Sequence, residues 1–176
     1  MNHPAGACVH DRVVAHGVVL RRLSREDLEQ VRAWRNDPAV SSFMEAREHI
    51  TAEMQERWFS QLEPDRQYFY VVETDGRGVG VVNLKNLDTV RRTAESGIYL
   101  AQPGERGRGL GRSAYRALLD HGFGCMGLQT VTARILHDNP RSVRLHLGLG
   151  YRLAEGQEGI RNQLYVLRQA DYLTLP

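Results

Sequence analysis

Several features that would point to a particular biology are scarce or missing in this chain of 176 residues. Cysteine occurs twice, at Cys8 and Cys125, too few for a disulfide framework and suited to a reducing compartment. No apolar run approaches the ~18 residues of a membrane span. The opening MNHPAGACVHDRVVAHG has no apolar core of the secretory type. A cytoplasmic location with no membrane partner is therefore expected. Charge of one sign is also missing: 23 basic against 21 acidic residues leave a net charge of +2. Nothing in that balance asks for nucleic acid. No Gly-Lys-Ser/Thr occurs, which excludes a Walker phosphate loop. Lysine is nearly absent, Lys85 being the single one. The arginines that replace it suit bidentate phosphate contacts, although they are spread over the whole chain. His3, Cys8, His10 and His16 follow no zinc-ligand spacing, so no metal is expected. Residues 1–16 are expected to be a flexible tail ahead of a single domain over 17–176.

What is present is an ordered alternation of periods. Val18 to Leu23 reads as a first strand. Ser24 caps a helix, with Asp27 where a capping box wants an acid, and Leu28, Val31 and Trp34 recur at helical spacing. Asp37-Pro38 restarts a short helix running through Met44, and Thr51 caps another with Met54, Trp58 and Leu62 on one face. The period then changes to two. Residues 67–74 and 78–85 are strands around an Asp75-Gly76 hairpin turn, and 94–101 is a third. A helix follows the glycines at 107–111. Residues 130–136 form a strand, 139–150 a helix capped by Asn139, and two closing strands flank the turn at 156–159. The order predicts a mixed α/β fold with one mostly antiparallel sheet.

The segment ERGRGLGR (105–112) sets glycines directly before a good helix former. Unpaired amides and the partial positive charge of a helix start bind phosphate, and glycine lets the backbone approach closely. Gly109-x-Gly111-x-x-Ala114 also satisfies the dinucleotide fingerprint, with Asp138 as the ribose acid. However, residues 102–106 separate the preceding strand from the glycines, and no room remains for a second mononucleotide half. A glycine-rich turn with a solvated basic helix end is the plainer alternative.

Arg106-x-x-Gly109-x-Gly111 resembles motif A of the GNAT superfamily of N-acetyltransferases, which use acetyl-CoA. Asn139-Pro-Arg-Ser142-x-x-Leu145-His146-x-x-Leu149-Gly150-Tyr151 resembles the family's second signature, N-x-x-A/S-x-x-L-Y-x-x-x-G-F. With the element order, the resemblance covers nearly the whole chain from Val18. It implies the GNAT fold: helices on both faces of the sheet and a splayed pair of strands, 94–101 and 130–136. It further implies that the pantetheine arm pairs with Tyr99, Leu100 and Ala101, and that Asn139 bonds it. The pyrophosphate would take Arg106, Gly107, Arg108, Gly109, Gly111 and Arg112.

For the transfer, an amine must attack in its neutral form, an oxyanion needs a donor such as a strand N–H, and the thiolate is helped by a proton. Several family members place a general base where Glu95 stands; a surface carboxylate is the alternative. His146 departs from the family's tyrosine. It could supply the proton, or only contact the sulfur or the substrate. The segment Trp34-Arg35-Asn36-Asp37-Pro38 resembles the W-R-N-x-P of the RimJ/RimL-like branch, and within it the PseH-type enzymes, which acetylate the 4-amino group of a nucleotide-linked sugar. The resemblance assigns Trp34, Arg35 and Asn36 to that acceptor, although Trp34 could equally be core and Arg35 and Asn36 could merely close the turn. A protein N-terminus or small metabolite amine is the alternative acceptor, and a CoA-binding sensor without turnover the alternative class. A monomer or homodimer is expected.

Overall fold

A computed structural model describes residues 10–101 and 109–174. Among these residues, eight strands form one sheet in the order β1-β2-β3-β4-β5-β6-β8-β7. In chain order, β1 (Arg12–Ala15) and β2 (Val18–Arg22) lead into α1 (Leu28–Asn36), α2 (Pro38–Ser41) and α3 (Ala52–Ser60). The meander β3 (Tyr68–Thr74), β4 (Arg77–Asp88) and β5 (Thr93–Leu100) follows. Then come α4 (Leu110–Asp120), β6 (Thr130–Leu136), α5 (Pro140–Gly148), β7 (Arg152–Leu153), β8 (Asn162–Arg168) and α6 (Gln169–Leu173). Every neighbouring pair is antiparallel except β5 with β6.

The two tight hairpins have one cause. His16-Gly17 and Asp75-Gly76 both hold positive φ, at 52° and 75° and at 51° and 71°. That is the turn whose twist matches paired strands, and glycine at its second position removes the steric penalty. The Asp-Gly turn was readable. The His-Gly turn corrects the expected flexible tail: Arg12 to Ala15 pair with Arg21 to Val18 as an edge strand. Two other expectations change. The helix start capped by Ser24 is a single 3₁₀ turn, Arg25–Asp27, before α1 begins. The helix at Pro38 stops at Ser41 rather than Met44. The Ser24–Asp27 capping box itself forms, and the Arg21 guanidinium forks onto the Asp27 carboxylate at 2.7 and 3.0 Å.

The sheet is covered on both faces. On one face, α4 and α5 press Tyr115, Leu118, Leu119 and Leu145 onto Leu20, Tyr70, Val82, Leu84 and Val131. On the other, α1 and α3 press Leu28, Val31, Trp34 and Trp58 onto Val71, Val81, Phe69 and Tyr99. Strand alternation places Val82 and Val81 in different cores although they are adjacent in sequence. Each fully buried leucine contributes about 1.5–3 kcal/mol by leaving water, and Leu20, Leu84, Leu118 and Leu119 are all completely buried.

Candidate active site

The site originates in a failure of two strands to stay together. β5 pairs with β6 only from Thr93–Thr130 to Ser96–Ala133. Beyond that point β5 follows β4 to Leu100, while β6 follows β8 to Leu136. Residues 97–100 and 134–136 therefore border a slot. The Ala101 amide donates to the Val79 carbonyl of β4 at 2.9 Å. Strand alternation then turns the Tyr99 backbone toward β4 as well, and sends the N–H and C=O groups of Ile98 and Leu100 into the slot. Of the three positions expected to pair with a pantetheine arm, Leu100 offers its backbone. Tyr99 and Ala101 face β4, and Ile98 is the position that sequence reasoning missed.

At the open end of the slot stands the start of α4. Gly109 caps it at φ 78°, a left-handed conformation suited to glycine. The first helical bond of α4 runs from the Ser113 amide to the Gly109 carbonyl at 3.0 Å. The amides of Leu110, Gly111 and Arg112 are thus left outside the helix ladder. The Arg112 side chain donates to the Gly148 carbonyl at 2.8 Å, tying α4 to the end of α5. Asn139 caps α5, its Oδ1 accepting from the Ser142 amide at 3.1 Å. Arg106, Gly107 and Arg108 lie outside the described residues.

A cleft of about 1110 Å³ joins this slot to the α1–α3 face. Its wall on that face is a ladder of cross-strand pairs: Lys85 with Glu95, Asn83 with Gly97, Val81 with Tyr99. The Lys85 ammonium sits 2.9 Å from the Glu95 carboxylate and fixes it in place. Gly97 has no side chain opposite Asn83, and a Cβ there would come within 3.0 Å of the Asn83 amide. Burial pushes the Tyr99 hydroxyl well above its ordinary range, against the opposing charge of Arg35, so it stays protonated. Among the described residues, three buried side-chain polar atoms have no hydrogen-bond partner: Arg35 Nε, Asn83 Oδ1 and Tyr99 Oη. All three residues line this cleft.

Of the expected acceptor residues, only Arg35 lines the cleft. Trp34 packs in the second core, its ring edge 3.2 Å from where a Cβ of Gly78 would lie. Asn36 clamps Ile50 from both sides, donating to its carbonyl at 2.9 Å and accepting from its amide at 2.8 Å. It thereby anchors the 42–51 loop, whose Phe43, Met44, Glu45 and Glu48 line the cleft. Asn83 could have been suspected from sequence as the one polar residue in the apolar run Val79 to Leu84. The orphaned state of its amide could not.

His146 lies on the other side of the slot and is 3% exposed. Its Nδ1 lies 2.8 Å from the Ser142 carbonyl, which can only accept, so Nδ1 carries a proton. Its Nε2 is 2.9 Å from Tyr115 Oη. Tyr115 Oη in turn is 2.7 Å from Ser96 Oγ, which also meets Tyr151 Oη at 2.9 Å and the Thr132 carbonyl at 2.8 Å. Burial, opposed by the Ser142 carbonyl, lowers the imidazole to about 4. The neutral ring and three hydroxyls hold four protons for five contacts, so the Tyr115 proton is shared between Nε2 and Ser96. Both nitrogens of His146 are thus committed inside the protein, and direct donation to a thiolate would break one of these bonds.

A strand-edge backbone open to hydrogen bonding, a helix start with unpaired amides, and a buried polar cleft between them are the parts of a site for a thioester carried on a phosphate-bearing arm. Comparison with known proteins agrees. The family model described as an acetyltransferase (GNAT) domain matches residues 18–152. The chain belongs to the GNAT acetyltransferase family and is an N-acetyltransferase that uses acetyl-CoA. It is similar to the spermidine N(1)-acetyltransferase of Escherichia coli K12, 29% identical over 144 residues, 81% of this chain and 76% of that one. It is also similar to the acetyltransferase PseH of Campylobacter jejuni, 25% identical over 156 residues, 88% of this chain and 94% of that one. The spermidine N-acetyltransferase of Vibrio cholerae, solved with CoA and spermine, shares the fold with a TM-score of 0.77 at 24% identity, over 89% of this chain and 98% of that one.

Proposed function

We propose that this enzyme acetylates the primary amine of a nucleotide-linked amino sugar, at its 4-amino group. The observation that carries the reading is Arg35. Its guanidinium lines the acceptor side of the cleft, and its buried Nε has no partner among the described residues. A cation held there opposes a polyamine and favours an acceptor bearing anionic or polar oxygens. The resemblance to PseH, over nearly the whole length of both chains, supports the same acceptor class. The W-R-N-x-P segment, typical of the RimJ/RimL-like branch, contributes Arg35 to the cleft wall and Asn36 to the loop clamp behind it.

Acetyl-CoA supplies an activated acyl group. The backbone of Ile98 and Leu100, the amides of Gly111 and Arg112, and the Asn139 amide nitrogen would hold it. In this mechanism Glu95 takes the amine proton, directly or through water. A slot-facing amide of β5 stabilises the developing oxyanion. His146 holds Tyr115 and Ser96 in place behind the slot.

A second reading has its own support. Glu45, Glu48 and Glu95 all line this cleft, and carboxylates suit a polyamine. Thiol release from acetyl-CoA, measured with nucleotide-linked 4-amino sugars, spermidine and peptides in parallel, separates the readings. The amino sugars are expected to give the highest kcat/KM. Turnover of spermidine with inert amino sugars overturns the proposal.

A further inference from the structure

Burying a polar atom without a partner costs free energy in the folded chain, and such atoms are rare in native proteins. Here the three orphans among the described residues come from separate positions in sequence, yet all three residues line one cleft. Tyr99 is on β5, Asn83 on β4 and Arg35 on α1. Independent defects of packing would be scattered over two cores. These lie on the α1–α3 side of the sheet, beside the place where β5 and β6 part.

The three atoms also differ in chemistry. Asn83 Oδ1 only accepts. Arg35 Nε only donates, and the protonated Tyr99 hydroxyl donates and accepts. The strand register sets them in sequence along the wall. Glu95 comes first, then Asn83 opposite Gly97, then Tyr99, with Arg35 near enough to act electrostatically on the Tyr99 hydroxyl. An amine ready to attack must be neutral, and its N–H groups need an acceptor that points its lone pair toward the thioester.

We propose that Asn83, Tyr99 and Arg35 form the acceptor subsite: Asn83 Oδ1 accepts an N–H of the attacking amine, and Tyr99 and Arg35 donate to an oxygen substituent of the same acceptor. Asn83 positions the nucleophile beside Glu95. Tyr99 and Arg35 select an amine that carries a nearby hydroxyl, carbonyl or phosphate oxygen over a plain polyamine. Ligand binding thereby completes bonds that the fold leaves open. This inference rests on the reading of the cleft as the amine-acceptor side, and it explains why Tyr99 departs from the role expected of it. Its backbone pairs with β4, and its side chain faces the acceptor.

Three variants at two positions test it, with the wild-type enzyme assayed alongside. Tyr99→Phe removes only the hydroxyl. Because that hydroxyl satisfies nothing within the fold, the melting temperature should stay level or rise. The KM for an oxygen-bearing amine should rise about tenfold, the effect of one hydrogen bond, with the KM for acetyl-CoA within twofold. Asn83→Leu should lower kcat more than it raises the acceptor KM, by about tenfold or more, while Asn83→Asp, which keeps an accepting oxygen, should retain most of the rate. The probes are a nucleoside-diphosphate-linked 4-amino sugar and spermidine. Acceptor kinetics within twofold of wild type in both Tyr99→Phe and Asn83→Leu overturn the proposal. So does a parallel loss of CoA affinity, which would give these groups to the cofactor. Should the wild type turn over no amine at all, the functional reading fails separately. The subsite then stands on thermal shift: the amino sugar with CoA must stabilise the wild type and not Tyr99→Phe, and equal or absent shifts overturn it.

Discussion

Replacing His146 with glutamine tests the reading of the buried hydroxyl network most directly. In the folded chain burial lowers this imidazole from 6.5 to about 4. Above pH 6.5 folded and unfolded chains both hold it neutral, and the stabilisation it gives is fully present. Between 6.5 and about 4 the unfolded chain binds a proton that the folded chain refuses, so stability falls as the pH falls. The slope is about 1.4 kcal/mol per pH unit, and the loss across the whole window is about 3 kcal/mol. His121, lowered to about 4 by its burial and by His10, titrates in the same window. It is present in both proteins, and the difference between them removes it. The assay is denaturant unfolding of wild type and His146→Gln at pH 7.5, 6.5, 5.5 and 4.5. At pH 7.5 the variant should be less stable, having lost the paired contacts to Ser142 and Tyr115. Toward pH 4.5 the gap should shrink by about 2–3 kcal/mol. A gap that is flat with pH would show that the folded protein does not hold His146 selectively neutral. The assignment of Nδ1 as donor to Ser142, with Nε2 sharing the Tyr115 proton, would then fail.

Two further substitutions probe what holds β5 and the 42–51 loop in place. Gly80→Ala would set a Cβ 2.2 Å from the Tyr99 carbonyl oxygen and 2.9 Å from the Leu100 Cα, both backbone atoms that cannot step aside. Destabilisation of about 3 kcal/mol is expected, together with weaker CoA binding by calorimetry because β5 must shift; a variant with wild-type melting and wild-type CoA affinity would contradict this. Asn36→Ala removes both bonds to Ile50. It should cost about 1–3 kcal/mol and speed limited proteolysis within residues 42–51, whereas unchanged cleavage would mean that the loop is held elsewhere.

Local rules carry a good part of this protein. Asp75-Gly76 fixes a hairpin because both turn residues must adopt positive φ, and only a few residue types do so readily. Asn139 and Thr51 start helices because their side chains accept from amides of the first turn, and Pro140 fits the first helical position because it has no N–H to satisfy. Motif A and the Asn139 to Tyr151 signature mark the chemistry because phosphate cradles and helix caps are short-range devices. The same short range explains the errors. Trp34 and Asn36 sit next to Arg35 in sequence, but the rotation of α1 sends Trp34 into the core and turns Asn36 toward Ile50. Tyr99 and Leu100 are adjacent, yet strand alternation turns their backbones to opposite neighbours.

The sequence by itself determined the family, the class of reaction and the order of the elements from Val18 to β8, since periodicity, caps and glycine turns are written over a few residues at a time; the edge strand β1 and the closing helix α6 were not legible in it. Only the tertiary structure decided which polar atoms are left without partners and which are committed. Asn83, Tyr99 and Arg35 come together through the β4–β5 register and the docking of α1. His146 loses its freedom to donate through Tyr115, thirty-one residues earlier in the chain. Hydrogen-bond satisfaction and desolvation depend on neighbours in space, and no local pattern of residues encodes them.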